Sequence, residues 1–342
     1  MSAELHRSAL VADAHNDLLM AVAARPPRRW GAFFRERWLP QLREGGVGLQ
    51  VLPVFIDDEY RPDGALRQTL RMVECAHTIA EHNGDHVRLC FDGADIDAAL
   101  ADGKIALVLA LESAPGLDAN VELFATVHRL GVRIASIAHL GRTALADGSG
   151  EDAAGSRLTA AGVEALAEME RLGILFDVSH LGAAGVAHVL ELATRPVLAT
   201  HSGARALCDH HRNLTDDQLR GIAATGGIVC VNFYPEFLSA DSAERTVDRV
   251  VDHILHIADV IGIDRVGLGP DFIKEVDQDL IRRCCEEPGD ADELALPGLE
   301  GPSGLPLVTR ALTERGVLDD AIRKILGGNV LNLLHTALGQ PA

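Results

Sequence analysis

The chain has 342 residues, 47% of them hydrophobic and 24% charged, with 31 basic side chains against 50 acidic ones and a net charge of −19. A chain of that length buries roughly three quarters of its unfolded surface, and an ordinary apolar fraction excludes disorder as its main state. The 33 glycines and 14 prolines follow no period, which excludes collagen-like and low-complexity classes, and the acidic balance argues against nucleic acid or an anionic membrane as a partner.

Short apolar runs, rich in β-branched residues, alternate with stretches of helical period. In chain order the predicted strands are 10–14, 48–55, 105–111, 133–138, 174–178, 196–200, 227–232 and 265–269. Between them the spacing predicts helices over 66–81, 120–130, 159–172, 216–224 and 243–261, with two closing helices over 318–338 that meet near Gly327 and Gly328. Thr215 and Gln218 form a capping box at the start of 216–224. Eight strands, each followed by a helix or long crossover, predict a (β/α)8 barrel of the TIM type, with residues 1–342 as a single domain. A doubly wound sheet is the alternative, weakened by the lack of a GxGxxG after the first strand.

The six cysteines form no CxxC, and Cys230 in an apolar run and Cys208 near one are expected to be reduced, buried thiols. The N-terminal apolar stretch is too short for a signal peptide, and no uncharged apolar run reaches 18 residues. A cytoplasmic location is the corresponding expectation.

Chemistry in such a barrel gathers at the C-terminal ends of the strands. There the sequence places His15, Asn16 and Asp17, then Glu112, His139, His180, His201, Asn232 with Tyr234, and Asp271; the second strand offers only Asp57. Taken singly, a histidine beside an apolar run is more often a hydrogen-bonded core residue than a ligand, and a lone carboxylate is more often a cap. Taken together, four histidines and three carboxylates at one end of different strands predict a metal site. His15 and Asp17, two apart on a strand, would share one face and grip one ion, and His180 and His201 would hold a second.

Two cations need an anionic bridge. Lys104, Lys274 and Lys324 are all badly placed to supply a carboxylated lysine, which leaves Glu112. Imidazole and carboxylate ligands without thiolates suit zinc, with cobalt or manganese as substitutes. Asp271 can shuttle a proton between water and a leaving amine, and His139 can polarise a carbonyl.

These segments resemble the membrane (renal) dipeptidase family of metallopeptidases, within the amidohydrolase superfamily. The resemblance is carried by 13–17 (Asp-Ala-His-Asn-Asp), 111–113 (Leu-Glu-Ser), 137–140 (Ile-Ala-His-Leu) with Ala146 and Asp147, and 177–180 (Asp-Val-Ser-His). It continues through 200–205 (Thr-His-Ser-Gly-Ala-Arg), 211–214 (His-Arg-Asn-Leu), 231–234 (Val-Asn-Phe-Tyr), 267–272 (Gly-Leu-Gly-Pro-Asp-Phe) and 326–329 (Leu-Gly-Gly-Asn).

The resemblance implies two Zn2+ ions, one on His15 and Asp17 and one on His180 and His201, bridged by Glu112 and a hydroxide. It assigns His139 to the substrate, Asp271 to general acid/base catalysis, and Arg212 with Tyr234 to the dipeptide's terminal carboxylate. Without it, Arg212 reads equally well as a solvated surface charge. The implied activity is hydrolysis of small dipeptides, including L-Xaa-D-Xaa, by a homodimeric enzyme. An N-acyl amino acid or another small amide is the alternative substrate, and a barrel kept as a binding protein is the third reading.

One departure concerns the rim. Where the family usually has Asp-Gly after Asp-Phe, this chain has Ile273 and Lys274, following an unusual Pro270. Lys274 is expected as a solvated rim charge, with contact to an acidic substrate side chain as the alternative. The acidic stretch 277–301 is expected to be an irregular loop near the mouth.

Overall fold

The computed structural model describes residues 2–61, 63–276 and 294–338. Most of the expected rim loop (277–293), with Cys284 and Cys285, lies outside the described residues. Among the described residues nine parallel strands form one sheet: β1 (Val11–Asp13), β2 (Val47–Val54), β3 (Val87–Leu89), β4 (Ile105–Leu111), β5 (Val132–Ala135), β6 (Leu175–Asp177), β7 (Val197–Ser202), β8 (Ile228–Val231) and β9 (Val266–Leu268). Pairing of β2 with β4, from Leu49 with Ala106 to Val54 with Leu111, closes eight of them into the predicted barrel.

The ninth strand, β3, has no counterpart in the sequence reading. It pairs with the first residues of β4, Ile105 to Leu107, while β5 takes the same edge further on, at Leu109 to Leu111. Its three residues have a charge in the middle, Val87, Arg88 and Leu89, and leave no apolar run to stand out.

Side chains of β4 alternate as a strand requires. Ala106, Val108 and Ala110 face one apolar cluster together with Leu49, Val51, Ile134 and Ile228; Ile105, Leu107, Leu109 and Leu111 belong to the other. The first cluster fills the barrel. It includes Ile96 and Ala99 from the helix Gly93–Ala101 and Val330, Leu333 and Leu334 from Asn329–Leu338, so these helices plug the end opposite the strand C-termini. The barrel is therefore a packed core with one open end.

Helices Ala65–His82, Leu123–Arg129, Ala160–Leu172 and Asp216–Ala224 lie where the spacing predicts them, and the capping box on Thr215 and Gln218 is present. The helix expected from 243 begins at Val247, because Ser242–Glu244 forms a separate 3-10 turn and Thr246 caps the helix proper. The two closing helices run as one continuous helical stretch, Asp319–Arg323, a π turn at Lys324–Gly328, and Asn329–Leu338. Gly327 explains the widened turn: a Cβ there would lie 2.7 Å from the Leu10 carbonyl and 2.8 Å from the Ala12 amide, so the helix backbone rests directly on β1.

Candidate metal centre and substrate cleft

The strand-end side chains converge at the open end. Glu112 follows β4 directly, and its two oxygens face opposite ways. Its Oε2 lies 3.5 Å from His15 Nε2, while Oε1 lies 2.9 Å from His180 Nε2, 3.7 Å from His201 Nε2 and 3.9 Å from His139 Nε2. Three overlapping groups have ligand atoms mutually within 4.8 Å: His15 with Glu112 and His201, Glu112 with His139 and His180, and His15 with Asp17 and Asp271. All seven residues chosen from the sequence as ligands or catalysts thus belong to one cluster. His139, which the sequence left without a metal role, stands in it beside Glu112, its ring centroid 4.0 Å from that of His180.

His15 and Asp17 meet for a reason other than strand alternation. β1 ends at Asp13, whose buried carboxylate accepts from the His15 amide (3.0 Å) and from Asn16 Nδ2 (3.0 Å). Asn16 Oδ1 in turn accepts from the Leu18 amide at 3.0 Å, starting the helix Leu18–Ala23. A local turn, built by side-chain competition for backbone donors, aims both residues inward.

His201 lies within β7 and is oriented by its neighbours. The Thr200 hydroxyl donates to Asp177 Oδ2 at 2.5 Å and stands 2.8 Å from His201 Nδ1. With its one proton committed to Asp177, Thr200 accepts from Nδ1–H and leaves His201 Nε2 with a free lone pair directed at the cluster. His180 Nε2 lies 2.8 Å from that atom. His180 and Asp271 both adopt left-handed backbone conformations (φ 69° and 62°), a cost on the order of 1–2 kcal/mol each that concentrates at functional sites. Asn232 Nδ2 donates to Asp271 Oδ2 at 2.9 Å and fixes its orientation. Gly269 is needed nearby, since a Cβ there would lie 1.7 Å from the Thr200 carbonyl.

Burial sets the charges against one another. Burial holds His180 and His201 well below the usual imidazole range, aided by Arg212 and by neighbouring histidines. Burial would also lower His15, but Glu112, Asp271 and Asp17 prevail and push it up to about 10. Glu112 goes the other way: burial would raise it, yet His15 and His180 keep it well below the usual carboxylate range. Asp17 is raised by burial and by the Glu112 charge, and Asp271 is raised mainly by burial.

The donor set fits divalent cations. Its atoms are imidazole nitrogens and carboxylate oxygens without thiolate, and His15 Nε2 and Asp17 Oδ1 are buried with no hydrogen-bond partner among the described residues. Unmet groups of that kind cost about 1–3 kcal/mol each unless a ligand satisfies them.

Above the cluster is a cleft of about 510 Å³, lined among others by His139, Arg212, Tyr234, Phe237, Asp271 and Ile273. Arg212 is 3% exposed, so the surface-charge reading is wrong. Its Nη2 donates to the His201 carbonyl (3.1 Å), its guanidinium lies 5.4 Å from the Phe237 ring centre, and its buried Nε has no partner among the described residues. Burial lowers it to about 10, against the pull of Asp271, Glu112 and Asp177, and it remains a cation at neutral pH.

Lys274 is not among the lining residues, which argues against its contact with an acidic substrate side chain. Sequence reasoning missed the roles of Asn232, Asp177 and Thr200. It quoted all three in motifs, but their spacing alone carried no sign of what they hold.

The sequence profile of the membrane dipeptidase family (peptidase family M19) matches residues 1–282. The chain belongs to that family. Among its relatives, dipeptidase aclJ of Aspergillus oryzae is 30% identical over 86% of this chain and 68% of its own length. An uncharacterized dipeptidase of Schizosaccharomyces pombe is 30% identical over 96% of this chain and 81% of its own. A metallopeptidase of Rhodobacter sphaeroides, solved with a phosphinate mimic of the dipeptide L-Ala-D-Ala, superposes with a TM-score of 0.82 at 26% identity, covering 95% of this chain and 98% of the other. A family M19 dipeptidase structure gives 0.84 at 26% identity over 97% of this chain and all of the other. Membership makes this barrel a metallopeptidase fold, and the His/Glu cluster is the place in it suited to a metal.

Proposed function

We propose that the protein is a dipeptidase that hydrolyses small dipeptides, including L-Xaa-D-Xaa, with two zinc ions at the cluster. The observation that carries this reading is the pairing, within one cleft, of a split-facing Glu112 below and a buried Arg212 with an unsatisfied Nε above. His15 and Asp17 would hold one ion, His180 and His201 the other, and Glu112 would join them. When bound, the ions supply Lewis acidity toward the amide carbonyl and acidify a water molecule.

The remaining work belongs to the chain. Arg212 presents a planar fork to the substrate's terminal carboxylate, with Tyr234 beside it, and fixes the scissile bond over the cluster. His139 donates to the carbonyl oxygen as negative charge develops there. Asp271, oriented by Asn232, takes a proton from the attacking water and returns it to the departing nitrogen. The Rhodobacter relative's L-Ala-D-Ala mimic supports a D-residue at the second position.

The test is release of free amino acids from L,L and L,D dipeptides by protein stripped with chelator and then reloaded with zinc, manganese or cobalt. Activity should vanish on stripping and return best with zinc. Turnover of N-acyl amino acids alone would keep the cluster and remove the dipeptidase reading.

A further inference from the structure

The cleft has one wall without charge among its described residues. Tyr234, Ile273, Val276 and Leu294 form an apolar cluster of their own, with Met20 and Phe237 packed against it. All of these except Leu294 line the cleft. The turn after Asp271 creates the wall. Val276 N donates to the Ile273 carbonyl at 2.9 Å; Ile273 and Val276 line the cleft, and Lys274 and Glu275 between them do not. Glu275 is taken by Arg37 (2.7 Å) and Gln41 (3.0 Å). Burial would raise the Glu300 carboxyl, but backbone donors and, least of all, the Lys274 charge lower it.

The wall adjoins both groups that would handle the substrate's C-terminal residue. Phe237 packs on Tyr234 (ring centres 4.7 Å apart) and also lies under the Arg212 guanidinium. Ile273 is two residues from Asp271, which faces the departing nitrogen. A substrate side chain that left the backbone between these two groups would face the wall of Ile273, Val276 and Met20. It gains by burying apolar surface and, if charged, loses its water without a partner.

We propose that Met20, Tyr234, Phe237, Ile273 and Val276 form the side-chain pocket for the C-terminal residue and select dipeptides ending in an apolar residue of leucine or phenylalanine size. This rests on the dipeptidase reading and adds its substrate class.

The test uses the zinc-loaded enzyme and alanyl dipeptides whose second residue is Ala, Val, Leu, Phe, Asp or Lys, each as the L and the D form. N-acetyl amino acids serve as the control series. Relative to Ala, kcat/KM should rise about 10- to 100-fold for Leu or Phe, chiefly through KM, and fall below it for Asp and Lys. Ile273→Asp should bring Lys-ending dipeptides above Leu-ending ones. Ile273→Ala, which leaves a hole but no charge, should flatten the gain for Leu over Ala, and Lys274→Ala should leave the series as it was. A flat wild-type series, or one favouring Asp or Lys, would overturn the pocket while leaving the dipeptidase intact. So would a shift on Lys274→Ala equal to that on Ile273→Asp. Turnover of the acetylated controls without any dipeptide would overturn the dipeptidase reading itself.

Discussion

The cleft has a floor of side chains set at or just beyond strand ends and a rim of side chains carried on loops, and the two are held by different means. On the floor, Glu112 continues the barrel ladder directly, its amide donating to the Val54 carbonyl at 3.1 Å, and His201 is a residue of β7 itself. At the rim, Arg212 hangs on the loop between β7 and the helix Asp216–Ala224. That loop is tied down piece by piece: Leu214 N donates to the Gly203 carbonyl, Arg205 N to the Leu214 carbonyl, and Asn213 Nδ2 to the carbonyls of Cys208 and Phe237. A floor fixed by the sheet can hold several ligands to a common point. A rim fixed by loops can change its lining without disturbing that point.

The sharpest test of the floor is Glu112→Gln. It keeps the shape and removes the charge that both sides of the cluster face. On the proposed two-ion reading, two-metal binding should be lost, turnover should fall by at least ~10³, and the thermal midpoint should drop as the stabilisation by bound metal is lost. Metal content by atomic emission, read beside the rate, checks it. Retention of two metals with near-normal turnover would remove Glu112 from the bridging position.

A smaller effect is expected at the rim. Arg212→Lys keeps a cation but gives up the fork and the contact with the Phe237 ring. The expected cost is about 10²-fold in kcat/KM, carried mainly by KM, with metal content unchanged. An equal loss in kcat alone would show that Arg212 acts on the cluster beneath it rather than on the substrate's carboxylate.

The same contrast explains what was legible in the sequence. The floor could be read because strand rhythm marks the barrel and any polar residue closing a strand points to one end of it; Glu112, His180, His201 and Asp271 were reached that way before any resemblance was invoked. His15 and Asp17 were reached the same way, at the end of the first strand, but their pairing was argued from strand alternation, whereas β1 ends at Asp13 and the Asp13 and Asn16 turn follows it. The rim could not be read. Nothing in local spacing says that Arg212 is buried, or that Ile273 lines the cleft while Lys274 does not, because both follow from a turn and from contacts with residues far along the chain. β3 was lost for a third reason, since Arg88 splits its three residues and leaves no apolar run. The π turn at Lys324–Gly328 was lost for a fourth, since two glycines in a helical pattern read as a stop unless the strand beneath them is known.

The smallest predicted effect at neutral pH concerns the residue that joins rim to scaffold. His253, fully buried on the helix Val247–Ile261, accepts the Ala204 N–H at Nδ1 (3.0 Å) and donates from Nε2 to the Leu238 carbonyl (3.0 Å). It thereby ties the start of the Arg212 loop to the short helix Pro235–Leu238, and it can do so only as the neutral ring. Burial lowers its pKa from the ordinary 6.5 to about 4, opposed by the Leu238 carbonyl and Asp252 and reinforced by Arg249 and His256.

The unfolded chain therefore takes up a proton at this position below pH 6.5 that the folded protein refuses until about pH 4. Stability must fall across that window as pH is lowered, by roughly 3 kcal/mol at its foot if this group acted alone. Gln in its place can still accept from Ala204 and donate to Leu238, but it does not titrate. His253→Gln should cost little at pH 7, raise KM a few-fold through a looser Arg212 loop, and lose less of its melting temperature than the wild type between pH 6.5 and 4. Parallel melting curves for the two proteins across that range would mean that the tie between rim and scaffold does not depend on the neutral imidazole.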